Sequence, residues 1–142
     1  MYGALLTTHS FLRYLVLLLL IAVIIKSFAG FAGKKSFDKA DNILGLTLFS
    51  VTHTQFLIGF ILYFVSPLIK FSGAGMKDPT TRYWTAEHFV IMIAAVVLIT
   101  VARLTSKRMT VDNARHKRML IFNSIALVLI VGAITMSKRG LL

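Results

Sequence analysis

The sequence predicts an all-α fold, a single up-and-down bundle of four transmembrane helices occupying residues 1–142 as one domain. Three observations predict it. The chain is 57% hydrophobic and only 15% charged, where a soluble domain carries roughly a quarter of its residues as charges. Its mean hydropathy is +0.81. The charges gather in short clusters between four long apolar runs, the pattern of a protein whose solvent is partly lipid.

The first span is predicted over 5–25, with an apolar centre from Tyr14 to Ile25. That centre is shorter than the ~20 residues a bilayer requires, so the helix takes His9 and Arg13 into the membrane zone. Small residues at Ala29-Gly30-Phe31-Ala32-Gly33 raise a signal-peptide reading. The segment Met1 to Ser10 has no Lys or Arg, which favours a retained helix. Gly30 to Lys35 breaks the helix and opens a basic loop. Asp41-Asn42 offers a cap for the second span, 43–65, and Ser66-Pro67 stops it. Leu68 to Arg82 contains Gly73, Gly75 and Pro79 and reads as a loop that skims the interface through Ile69 and Phe71. The third span, 83–103, opens on the aromatic pair Tyr83-Trp84, suited to the headgroup belt. The fourth is predicted over 119–136.

The net charge of +11 suits either nucleic acid or anionic lipid. The position of the charges flanking apolar spans favours lipid and argues against nucleic acid. Ten Lys and Arg lie in the two loops 26–41 and 102–118, and five on the other side: Lys70, Lys77, Arg82, Lys138 and Arg139. The positive-inside rule then places both basic loops in the cytoplasm and both termini on the non-cytoplasmic side. The absence of cysteine excludes disulfides, thiolate metal sites and iron–sulfur clusters.

Ionisable groups inside a bilayer are costly and invite a functional explanation. The candidates are His9, Arg13, His53, Gln55, Glu87 and His88, with Asn123 a weaker one. His116, within Arg115-His116-Lys117-Arg118, reads as a solvated loop residue. Histidine in a cysteine-free helical bundle points first to axial ligation of haem b. At 1.5 Å per residue, His9 lies about 6 Å, His88 about 8 Å and His53 about 18 Å into the membrane. His9–His88 is the best-matched pair; His53–His88 fits if the third span is longer. His88 shares a stripe with Met92, Ala95, Ile99 and Ala102, whose small members leave room for close packing or a planar ring. Arg13, one turn from His9, is placed to meet a haem propionate. Glu87 is expected to pair with Arg13 or Arg82, or to stand with Gln55 beside the cofactor. The bland alternative is that these side chains only form interhelical hydrogen bonds. The sequence contains no Gly-rich phosphate loop and no metalloprotease spacing. Zinc needs more convergent ligands than these depths allow.

The segments His9-Ser10-Phe11-Leu12-Arg13, Thr52 to Gly59, Tyr63-Phe64-Val65-Ser66-Pro67 and Arg82 to His88 resemble a family of small four-helix bacterial membrane proteins labelled cytochrome B or cytochrome b subunit. The likeness extends to Lys107 and to His116-Lys117-Arg118. The closing segment Met136-Ser137-Lys138-Arg139-Gly140 departs from it, lacking the family's aromatic Pro-Trp-Pro end. The resemblance implies the bacterial inner (cytoplasmic) membrane, haem b, and electron transfer with a quinone or another membrane redox subunit, with oligomerisation possible. The leading expectation is therefore a haem b electron-transfer protein or subunit, without independent catalytic activity, with His9, His53 and His88 as candidate ligands. The competing expectations are a cofactor-free accessory or assembly subunit of a larger membrane complex, and a proton or small-solute pathway along the histidines and Glu87.

Overall fold

The computed structural model describes residues 2–67, 69 and 72–136. Phe71 of the interfacial loop, and Lys70, Lys138 and Arg139 of the charge count, lie outside the described residues. Four helices are long and apolar enough to cross a membrane, and no strand occurs among the described residues. The helices are α1 (Tyr2–Ala32), α2 (Lys39–Val65), two short segments α3 (Gly73–Lys77) and α4 (Pro79–Arg82), and α5 (His88–Arg108) and α6 (Asp112–Met136). A π-helical turn, Tyr83–Glu87, joins α4 to α5 without a break, so the third crossing runs over Pro79–Arg108. Short loops force α1 to run antiparallel to α2, and α5 to α6. α1 also packs on α6 and α2 on α5, the last being the least extensive contact of the ring.

The observed helices outrun their predicted spans. α1 continues from Ile25 to Ala32, and α6 begins at Asp112 rather than near Met119. Hydropathy sees only the apolar stretch, whereas the backbone stays helical wherever tertiary contacts satisfy the polar residues at its ends. A 31-residue helix is about 46 Å long against a hydrocarbon core of about 30 Å. The second helix starts at Lys39, with Asp38 and not Asp41-Asn42 as its cap. Asp38 Oδ1 accepts from the Asp41 N–H (3.1 Å) and Asp41 Oδ2 from the Asp38 N–H (2.9 Å), a reciprocal capping box. Lys26 of α1 bridges Asp41 at 3.0 Å and Asp38 at 3.6 Å, fastening the box to the neighbouring helix.

The Asp41 N–H, with Lys26 beside it, holds the Asp38 carboxyl below its ordinary value of 3.8. Because the folded pKa is depressed, the stabilisation is present above the unfolded value and disappears as pH falls through the folded one. Thermal melts of the detergent-solubilised protein are expected to lose stability on acidification below about pH 4. Asp38→Asn, which keeps a capping oxygen, should flatten part of that acid limb.

Large apolar side chains face outward around the ring, including Phe11, Leu18, Phe64, Val90 and Val128. In water such a belt would be an aggregation surface; in lipid it is the expected solvent-facing side. The inside is built from small residues, Ser27, Gly30, Gly45, Ala95, Ala102, Ala126 and Ala133, which bring backbones close where lipid offers no hydrophobic drive for helix association. Leu20, Leu48 and Ile99 fill the remaining core.

The end of the bundle carrying the two basic loops is far from purely apolar inside. Arg103 is 5% exposed and donates to Asn42 Oδ1 at 2.7 Å. His116, expected in a solvated loop, is 1% exposed on α6, its Nε2 donating to the Lys35 carbonyl at 3.1 Å. The reason for this correction is the early start of α6, which turns His116 into the bundle and leaves Lys117 outside. Gly30 makes the room: a Cβ there would overlap the His116 ring.

Candidate functional site

The opposite end of the bundle holds a cavity of about 180 Å³ that residues of all four crossings line, among them His9, Arg13, Thr52, Gln55, Trp84 and His88. Three local features build it. On α1, His9 and Arg13 stand one turn apart. Gln55 Nε2 donates to the His9 carbonyl at 2.7 Å, tying α2 to α1. Gly59 lets the His9 ring lie against α2, since a Cβ there would come within 3.0 Å of its Cε1.

The third feature is the π-helical turn. Its wider winding brings Tyr83 and His88, five residues apart, onto the same side. The Tyr83 hydroxyl donates to the Ala133 carbonyl at 2.6 Å. Its single proton being used, that oxygen accepts from His88 Nδ1 at 3.2 Å. The neutral His88 ring therefore carries its proton on Nδ1 and keeps its lone pair on Nε2. A hydrogen bond from the remote ring nitrogen to a fixed oxygen is how proteins orient metal-ligating histidines. Trp84 packs on the His88 ring at 5.0 Å between centroids, and the Tyr63 hydroxyl donates to the Thr85 carbonyl at 2.6 Å, pinning the turn to α2.

Two buried atoms of lining residues, Gln55 Oε1 and Thr52 Oγ1, have no hydrogen-bond partner. Inside a membrane such atoms cost free energy until a ligand or water meets them. The rest of the lining is mainly apolar, with Phe56, Phe60, Phe89 and Met92 prominent.

The structure thus brings His9, Arg13, Gln55 and His88 together and sets two candidates apart. His53 is not among the lining residues. Its Nδ1 donates to the Phe49 carbonyl (2.9 Å), and its Nε2, then an acceptor, faces the Thr100 hydroxyl at 3.3 Å. Both ring nitrogens are engaged in joining α2 to α5. Glu87 also lies away from the cavity, paired at 3.0 Å with Arg82 at the end of the bundle. Among the described residues, no group of three or more His, Asp or Glu converges on a metal site. The missed contributors are Tyr83 and Thr52. A five-residue separation is not a helical-face signal, so only the π-helical turn reveals Tyr83 as the partner of His88.

Tyr83→Phe removes the acceptor for His88 Nδ1 and the donor to Ala133. The variant is expected to lose about 1–3 kcal/mol of stability, and any ligand held by His88 should bind about 10- to 100-fold more weakly. Parallel thermal melts and ligand titrations check both.

Compared with family models, with curated proteins and with solved structures, the chain matches none.

Proposed function

We propose that this multi-pass membrane protein binds haem b within the bundle and acts as an electron-transfer protein or subunit, exchanging electrons with a quinone pool or a partner redox subunit. One observation carries the reading. Two histidines from different helices, His9 and His88, line one cavity, and Tyr83 leaves His88 Nε2 as the available lone pair. The donor chemistry fits: two imidazoles for the iron, Arg13 for a propionate, Gln55 and Thr52 for polar edges, and aromatic walls for the ring. Haem b supplies a one-electron couple when bound; the chain holds, orients and shields it. In this reading His53 is a structural post between α2 and α5.

The room is the demanding part. A cavity of about 180 Å³ exceeds the ~150 Å³ that takes a benzene and falls below the 300–1,000 Å³ usual for larger ligands. A tetrapyrrole therefore requires helices to part, and the α2–α5 contact, the least extensive of the ring, is the seam that opens at least cost. This observation also favours the second reading, a cofactor-free accessory subunit in which His9 and His88 only join helices. A pyridine haemochrome assay on the purified protein separates the two. About one haem per chain is expected, and a colourless, well-folded sample overturns the haem reading.

The basic loops 33–38 and 109–111 and their flanking helix ends lie at one end of the bundle. Their charge excess supports a cytoplasmic location for that end, in a bacterial inner membrane, with both termini and the His88 cavity on the other side. Cysteine-accessibility labelling of single substitutions at Lys34 and at Met76 tests this, with Met76 reacting from the outside and Lys34 from the inside.

A further inference from the structure

A second cavity lies at the basic end of the bundle, far from His88, lined by Lys26, Lys35, Ser36, Asp38, Asp41 and His116. Most of its charges are committed to one another. Both carboxylates serve the α2 capping box and share the Lys26 ammonium. Three groups are not committed. The Lys35 ammonium makes no ion pair and the Ser36 hydroxyl no hydrogen bond among the described residues. The third is His116 Nδ1, buried and without a hydrogen-bond partner on a side chain only 1% exposed.

The tautomer of His116 determines what this set can recognise. Its Nε2 faces a carbonyl, which only accepts, so Nε2 holds the ring proton. Nδ1 is then a lone pair needing a proton, beside an ammonium and a hydroxyl that need acceptors. A simple anion answers only half of this. A phosphate with an ionisable oxygen answers all of it, because its second pKa near 6 lets it share a proton with an imidazole. With the proton on phosphate, the P–OH donates to Nδ1; with the proton on His116, the imidazolium donates to the dianion. Lys35 and Ser36 meet the other oxygens in both forms. The neighbouring carboxylates repel little, each being neutralised by Lys26 and backbone N–H donors.

The geometry points to this cavity as a binding site for a phosphate carrying such an ionisable oxygen, either inorganic phosphate or a phosphomonoester headgroup such as phosphatidate. A phosphodiester or sulfate, with no proton to share near neutral pH, fits it poorly. The site is independent of haem and of the electron-transfer reading.

The test uses the full chain in phosphatidylglycerol nanodiscs, followed by thermal stability as inorganic phosphate is titrated against sulfate at matched ionic strength. Phosphate is expected to raise the melting temperature in a saturable way and sulfate is not. Lys35→Ala, an exposed position whose backbone carbonyl still holds His116, should weaken the apparent phosphate affinity by about tenfold or more. His116→Gln should do the same if it folds, but Lys35→Ala decides the matter alone. A second arm replaces part of the phosphatidylglycerol with phosphatidate. Stabilisation without free phosphate, lost in Lys35→Ala, identifies the lipid as a source; stabilisation confined to added phosphate identifies the soluble anion. Equal responses to phosphate and sulfate, no response in either arm, or a phosphate response unchanged in Lys35→Ala overturns the proposal.

Discussion

Replacing His88 with alanine is expected to abolish the Soret absorbance of the purified protein, while His53→Ala leaves most of it intact. The two histidines look alike in sequence, each polar within an apolar helix. Their surroundings differ in kind. His88 has Nδ1 committed to Tyr83 and lies on a cavity that His9 shares. His53 has both nitrogens engaged, by the Phe49 carbonyl and by Thr100, and its ring rests on Phe49 at 4.2 Å. Ligation by His53 would break both contacts, and each buried hydrogen bond lost costs about 1–3 kcal/mol. His53→Ala should therefore lower thermal stability by a similar amount and leave the haem content close to that of the wild type. Haem-to-protein ratios from the pyridine haemochrome assay, read beside melts of each variant, distinguish ligand loss from unfolding. Retention of full absorbance in His88→Ala, or its loss in a folded His53→Ala, sinks the assignment of ligands.

The second large effect lies at the other end of the bundle. Gly30→Ala should destabilise the protein even though alanine is the better helix former. Propensity favours the change by about 0.5–1 kcal/mol. Against this, the new methyl group would overlap the His116 ring. That ring has little freedom to move, since Phe37 backs it at 5.2 Å between centroids and Lys35 holds Nε2. Overpacking of a tight core costs about 1–3 kcal/mol, and loss of the Lys35 hydrogen bond adds about 1 kcal/mol. The steric term wins, and a fall of several degrees in the melting temperature is expected. His116→Ala combined with Gly30→Ala removes the clash, so the double variant should be more stable than the sum of the single effects predicts. Gly132→Ala is the control: a Cβ there meets nothing within 4 Å, and its effect should be neutral or slightly stabilising. A Gly30→Ala protein as stable as the wild type would show that His116 is not packed against α1 as described.

Four crossings were legible because hydropathy is a property of the chain. A run of apolar residues long enough for a bilayer leaves few alternatives to a helix, since each backbone N–H and C=O must be satisfied within the segment. The stripe Ala95, Ile99 and Ala102 below His88 was legible for the same reason, and all three are buried. The pairing of His9 with His88 in one cavity also follows a rule of position, depth along a helix of known rise. Periodicity and depth are one-dimensional quantities, and the sequence contains them.

Only the tertiary structure decided which polar residues share a site. His53 and His88 differ because Thr100 stands opposite one and Tyr83 opposite the other, and both partners depend on helix rotation and on the π-helical turn. His116 looked solvated amid Arg115, Lys117 and Arg118, yet a helix has several sides, and the one bearing His116 meets Gly30 and Lys35 far away in the chain. Arg103 and Asn42 are likewise strangers in sequence and bonded in space. The sequence alone thus determined the lipid-facing bundle and its two polar ends. The fold decided that one end encloses a His9–His88 cavity and the other a His116 cavity, because convergence of side chains from separate helices depends on packing, which no local pattern records.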